Sequence, residues 1–280
     1  MVGNAATTLD SETQVGRGFY ETEPPASLKL QDRWTEVAGW KMHSRSSTRK
    51  GGIPFVLVHG LVISSLYFVP LAKCLAGDAD VHAVDLPGFG RSQGPMFEHS
   101  IPGMAEFLAQ WMKRNRIDRC HLVANSLGCQ ISSEFAVRYP GRVASLTLIG
   151  PTIDPAAHRI PIQAIRLVEE LFHQPPRLLM DLVLDFLRCG PVRMISMISK
   201  MFAHRIEQVL PHISAPTLVM RGAGDPIAPE SWIVRAARLL PLGRSITIPG
   251  GHHCVHFSDP RKVVCLLLDF AEAATLEPRS

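Results

Sequence analysis

Along most of the chain, short apolar runs alternate with stretches whose apolar positions recur every three or four residues. Ile53-Pro54-Phe55-Val56-Leu57-Val58 is a continuous apolar run of the kind that fills a strand buried on both faces. Residues 81–84, 121–124, 143–149, 217–220 and 245–248 read the same way. Between these runs, residues 66–75, 101–115, 127–139, 230–240 and 259–274 carry helical spacing, with Pro140-Gly141 and Gly150-Pro151 as stops. Upstream, residues 34–37 and 40–43 flank Ala38-Gly39 and predict a hairpin. Strands alternating with helices at this spacing predict the α/β class, a mostly parallel sheet with helices on both faces.

The alternation breaks over residues 152–212, where only helical periodicity remains. In residues 178–188, Asp181, Asp185 and Arg188 fall at i, i+4 and i+7 amid apolar neighbours, which predicts a mostly buried helix with a narrow polar stripe. Residues 192–202 repeat the pattern, with Arg193, Ser196 and Lys200 polar. The segment reads as a helical cap inserted into a core made of residues 29–151 and 213–280. Residues 1–28, rich in Thr, Ser, Glu, Gly and Pro, read as a flexible N-terminal arm.

Composition narrows the class. The chain has 280 residues, 46% hydrophobic and 19% charged, which is globular and excludes disorder. The net charge of +4 is small, and the basic clusters at 45–50 and 113–119 lack interleaved aromatics, so no nucleic-acid partner is predicted. No apolar run reaches the ~18 residues of a membrane span. The first residues hold neither an apolar core nor an early Lys or Arg, so no secretion signal is predicted. Six scattered cysteines without a CxxC pair predict reduced thiols and a cytoplasmic location.

Four places carry chemistry. In His121-Leu122-Val123-Ala124-Asn125-Ser126-Leu127-Gly128, a strand ends, a Ser follows and a helix begins at once, with small residues two positions either side of the Ser. A nucleophile on so sharp a turn needs that room; the competing reading makes Ser126 a helix cap. In Val58-His59-Gly60-Leu61, Gly60 lets the chain turn so that the Leu61 N–H, together with that of Leu127, can form an oxyanion hole, while the His59 ring holds the loop. Asp225 lies just past a strand in Arg221-Gly222-Ala223-Gly224-Asp225, where ligands of open α/β sheets bind. His252, His253 and His256 follow the last strand, but no carboxylate or Cys spacing completes a metal set, so no metal is predicted.

The order Ser, Asp, His, each at a strand's carboxyl end, resembles the α/β-hydrolase fold family, in its lid-bearing group of small bacterial serine esterases. Asp85-Leu86-Pro87-Gly88-Phe89-Gly90-Arg91-Ser92 and Tyr139-Pro140-Gly141-Arg142-Val143 also match. The resemblance covers about residues 34–275 and implies an eight-stranded sheet with a helical cap. It implies Ser126 as nucleophile and Asp225 as acid, with Asp154 as a rival acid. The family commonly reads Gly-His with Pro seven residues after the His, which fits His253 and Pro260 and puts His252 where Gly is usual. Ser rather than Asp at the elbow favours acyl transfer over dehalogenation or epoxide opening.

The expected reaction is hydrolysis of a small-molecule carboxylic ester without metal or organic cofactor. Val62 follows the oxyanion turn and is expected on the acyl side. Met180 and Met197 belong to a Met- and Phe-rich cap that reads either as an apolar entrance or as the cap's own core. Asn125 before the Ser resembles serine-dependent carbon–carbon bond hydrolases, which use a cap arginine, here Arg188 or Arg193. The turn after His59 lacks that family's Gly-Pro-Gly and the segment after His253 lacks its Trp. A lactonase, a thioesterase or a non-turnover small-molecule receptor would share the same residues.

Overall fold

The computed structural model describes residues 29–47, 51–95 and 100–276; the expected N-terminal arm lies outside them. β1 (Gln31–Val37) and β2 (Trp40–Ser46) form the predicted hairpin around Ala38 and Gly39, both at positive φ. That turn matches the right-handed twist of paired strands. Six more strands follow among the described residues: β3 (Phe55–Val58), β4 (Val81–Val84), β5 (Cys120–Asn125), β6 (Val143–Ile149), β7 (Thr217–Gly222) and β8 (Gly243–Ile248). They join in one sheet of order β1-β2-β4-β3-β5-β6-β7-β8, in which β2 alone runs against its neighbours.

Alternation within the strands builds two cores. Val56 and Val58 of β3, with Leu122 and Ala124 of β5, face one side. There they meet α2 (Ile101–Arg114), α3 (Leu127–Arg138) and α8 (Glu230–Leu239). Phe55 and Leu57, with Val123, face the other side, where α1 (Val69–Leu75) and α10 (Pro260–Leu276) pack. A strand buried on both faces is apolar at most positions, which is why Phe55–Val58 does not alternate in sequence. The expected helix over 66–75 begins instead as a 3₁₀ turn at Ser65–Phe68, and α1 starts only at Val69. Pro70 causes this: its ring would clash with the Leu66 carbonyl in a continuous α-helix, whereas Pro is tolerated in a first turn.

Between β6 and β7 the chain leaves the sheet for α4 (Ile160–Leu171), α5 (Pro176–Cys189), α6 (Pro191–Ala203) and the short α7 (Ile206–Val209). The expectation of a mostly buried α5 fails, and its polar stripe divides: Asp185 turns inward while Arg188 stays exposed. Asp185 is buried, and the Ser64 hydroxyl donates to its Oδ2 at 2.5 Å. Met180, Val183 and Leu187 stand 66%, 59% and 70% exposed. The helix lies on the loop after β3, whose Ser64 donor needs an acceptor, so Asp185 turns inward.

Buried Asp85, at the end of β4, holds the loops of this edge together. Its carboxylate accepts from Ser65 N–H (2.7 Å) and Arg91 N–H (3.0 Å) and meets His43 Nδ1 at 2.7 Å. Burial alone would raise its pKa; the His43 bond, the His59 charge and the two backbone donors outweigh that and hold it at about 2. The stability it contributes is therefore present above the ordinary value of 3.8 and is lost as pH falls through 3.8 toward about 2. Asp85→Ala, which strands His43 in the interior, is expected to cost on the order of 3 kcal/mol in urea unfolding at pH 7. The deficit should shrink as pH approaches 2, and a pH-independent deficit would refute the assignment.

Candidate active site

Ser126 sits between β5 and α3 at φ 56°, ψ −122°, a conformation that non-glycine residues rarely adopt. It occupies the position before the first helical turn, yet its side chain makes no capping hydrogen bond. The cap reading therefore has no bond behind it. Asn125 and Leu127 on either side are buried, while Ser126 itself is partly exposed. Strain at one residue held by well-packed neighbours is the signature of a functional turn. A Cβ on Gly128 would lie 2.4 Å from the Val58 carbonyl oxygen and 2.7 Å from that of His59, which explains the small residue two positions on.

The loop after β3 closes against this turn. A Cβ on Gly60 would come within 3.0 Å of the Ser126 Cβ. The Gly60 N–H donates to Tyr67 Oη at 2.8 Å, and Tyr67 donates on to Asn125 Oδ1 at 2.9 Å. Leu61 follows Gly60, then Val62 at φ 72°. Leu127 opens α3, so its N–H has no partner within the helix. His59 bridges Gly60 O at 2.8 Å and Leu86 N–H at 2.9 Å. Since Nε2 accepts from Leu86, Nδ1 carries the proton; burial pushes the ring's pKa down against the pull of Asp85. The His59 ring holds the loop, as the sequence predicts.

Asp225 and His253 meet from the ends of β7 and β8. Asp225 Oδ1 accepts from the Ile227 and Ala228 N–H groups at 2.8 and 3.0 Å, which aims Oδ2 at His253 Nδ1, 2.8 Å away. His253 is buried, and its Nε2 has no hydrogen-bond partner. Burial lowers its pKa, but the charge and hydrogen bond of Asp225, with Glu170 behind them, carry it above 6.5. The three adjacent histidines part company. His252 stacks on His173 with centroids 4.4 Å apart. His256 lies against the Tyr67 and Phe68 rings, at 4.5 and 4.4 Å, where burial pushes it down to about 3. Asp154 pairs with Arg166 at 3.1 Å and accepts from the Ala156 N–H, so it is spent away from this histidine.

The remaining candidates scatter. The amide of Asn125 donates to the carbonyls of Ile149 (3.0 Å) and His253 (3.1 Å), so it ties the elbow to the histidine loop and is spent structurally. Met197 is buried in the core shared with Leu127, whereas Met180 turns outward. Arg188 pairs with Asp185 at 3.1 Å. Arg193 donates to the carbonyls of Gly88 and Gly94 and so pins α6 to the loop after β4.

One residue escaped the sequence reading. Glu170 of α4 is buried, and its Oε1 accepts from the His253 N–H at 2.8 Å and from Gln174. Burial, aided by Asp225, pushes its carboxyl up to about 7 against the opposing pull of His253. In an amphipathic segment a single Glu beside Glu169 gives no sign that it turns inward.

The residues 53–189 match the family model described as alpha/beta hydrolase fold. The chain has the α/β-hydrolase fold. A Pseudomonas savastanoi protein named as a carbamate hydrolase, RutD, is 27% identical over 243 residues, covering 79% of this chain and 94% of the relative. The Caenorhabditis elegans abhydrolase domain-containing protein abhd-5.2 is 36% identical over 106 residues, 36% of this chain and only 24% of that protein. Over those residues this α/β hydrolase spans about a quarter of that relative's length. The crystal structure of a bacterial membrane phospholipase A superposes with a TM-score of 0.78 at 22% identity, covering 89% of this chain and 87% of that one.

The Asp225–His253 bond can be tested without substrate. A Cβ on Gly150, at φ +55°, would lie 2.8 Å from the His253 ring and 3.0 Å from Asp225 Oδ2. Gly150→Ala is expected to displace the ring and shift the deshielded Nδ1 proton in NMR spectra. Asp225→Asn removes the main charge that raises the ring, leaving only Glu170 against burial, so its titration is expected to fall. An unchanged titration in Asp225→Asn would show that the acid does not govern this histidine.

Proposed function

We propose that this α/β hydrolase is a serine carboxylesterase acting through Ser126, His253 and Asp225. One observation carries the reading. His253 is held by Asp225 through Nδ1, its Nε2 is buried and unpartnered, and the strained elbow serine spends its hydroxyl on no helix cap. Ser is a weak nucleophile at neutral pH and needs an adjacent base. In this mechanism His253 Nε2 takes the Ser126 proton as Oγ attacks the ester carbonyl, and Asp225 fixes the tautomer and stabilises the imidazolium. The Leu61 and Leu127 N–H groups hold the oxyanion. His253 then protonates the leaving alcohol, and water attacks the acyl-enzyme by the same route in reverse. Side chains and backbone supply every group the chemistry needs.

Residues 152–212 would act as the cap over this site, on a core of residues 29–151 and 213–280. Three ties to loops at the sheet's carboxyl edge support that role: Glu170 to the His253 N–H, Asp185 to Ser64, and Arg193 to Gly88. Val62 would border the acyl group. The carbon–carbon hydrolase reading asks for a free cap arginine, and both candidates are committed to protein partners. Esters of small to medium apolar acids are therefore favoured. Six free thiols fit a reducing compartment, and we place the protein in the cytoplasm.

Burst kinetics with p-nitrophenyl esters of increasing acyl length test the reading. A burst stoichiometric with enzyme is expected, with kcat falling on the order of 10⁵–10⁶-fold in Ser126→Ala and about 10⁴-fold in Asp225→Asn. The base must be neutral, so kcat/KM should fall as pH drops through the raised His253 value, above 6.5. Turnover that survives Ser126→Ala would refute the mechanism, and no turnover on any ester would bring the receptor reading forward.

A further inference from the structure

The α5–α6 pair turns an apolar face to the outside. At about 100° per residue, Met180, Val183, Leu184 and Leu187 fall on one arc of α5 roughly a quarter of its circumference wide. They are 66%, 59%, 45% and 70% exposed. The buried positions Leu178, Asp185 and Cys189 lie across the helix. α6 packs on α5 after Gly190 and exposes Val192 and Ile195 as well, at 51% and 69%. Side chains this large, gathered on neighbouring helices, go beyond the scattered apolar residues of an ordinary surface.

Charge tells what covers this face. Arg177 and Arg188, both exposed, are next on the α5 wheel after Leu184 and border the apolar arc, Arg188 with one nitrogen on Asp185 at 3.1 Å. Across the whole insertion the exposed charged residues are Arg159, Arg177, Arg188 and Arg205 against Glu169 alone. An apolar stripe with an arginine fringe fits an acyl boundary topped by anionic headgroups, because the guanidinium stems lie along the apolar layer while the charges reach phosphate. A second copy of this chain is a poorer fit, since a two-fold contact across this face brings like fringes together. No helix among the described residues is long and apolar enough to cross a membrane, so the geometry is that of lying in the interface.

We propose that the outer face of α5 and α6 docks on an anionic lipid surface. The proposal stands apart from the ester chemistry, since it uses none of Ser126, His253 and Asp225. It is tested by co-sedimenting the full chain with vesicles of phosphatidylcholine alone and of phosphatidylcholine with phosphatidylglycerol. Pelleting is expected with the mixed vesicles only. It should be lost in Val183→Asp/Leu187→Asp and weakened about five-fold in Arg177→Glu. These positions are at the surface, so circular dichroism and the thermal midpoint of the variants should match the parent. Equal pelleting with neutral vesicles overturns the charge argument, and no pelleting with either overturns the proposal. A dimer in light scattering that dissociates in the Asp variants, without vesicle binding, assigns the face to a second copy instead.

Discussion

Parallel pairing of β3, β5, β6, β7 and β8 brings their carboxyl ends to one edge, and the site is what those ends make of their loose backbone groups. A loop leaving a buried strand carries N–H donors that water cannot reach, so something must accept from them. Two buried carboxylates do so. Asp85 takes the Ser65 and Arg91 donors after β4, and Asp225 takes those of Ile227 and Ala228 after β7. Each carboxylate also holds a histidine: Asp85 Oδ2 meets His43 while still accepting from Arg91, and Asp225 keeps Oδ2 for His253 alone. The same device serves structure at one loop and faces the elbow serine's edge of the sheet at the other. The difference is what lies beyond the ring. His43 Nε2 goes on to Asp32, whereas His253 Nε2 has no partner.

The histidines of this edge separate by partner rather than by burial. His59, His253 and His256 are all buried, and burial alone lowers an imidazole's pKa. His59 and His256 follow that rule. His253 breaks it because a carboxylate lies 2.8 Å from its Nδ1. Glu170 adds a second acid on the backbone side of the same residue, and its carboxyl, held at about 7 by burial, joins α4 to the histidine loop.

Sequence pattern made the central strands legible because both of their faces are buried, which leaves mostly apolar runs such as Phe55–Val58. It made the elbow legible because steric room around Ser126 demands small residues, and Gly128 against the Val58 carbonyl supplies the reason. His253 could be told from His252 only by its distance to Pro260; in the structure the two rings point to different partners, Asp225 and His173. Asn125 resembles a carbon–carbon hydrolase residue in sequence, and its amide bonds two carbonyls and Tyr67, a network of long-range contacts that no local pattern encodes. Glu170 left no trace for the same reason.

α5 departs from the orientation that its periodicity predicts. Periodicity shows that a helix has an apolar face, and the usual inference sends that face inward. Here the surface beneath α5 includes loop backbone and hydroxyls at the carboxyl edge of a sheet, while Met194, Met197 and Met201 of α6 take their apolar side into the core. Asp185 accepts from Ser64, Glu170 from the His253 N–H, and Arg193 donates to the Gly88 and Gly94 carbonyls. A helix laid over such an edge must lower its polar groups to satisfy it, because an unmet buried donor or acceptor costs about 1–3 kcal/mol. Helical periodicity then leaves the apolar arc nowhere to go but outward. The exposed face of the insertion is thus the counterpart of the polar edge beneath it.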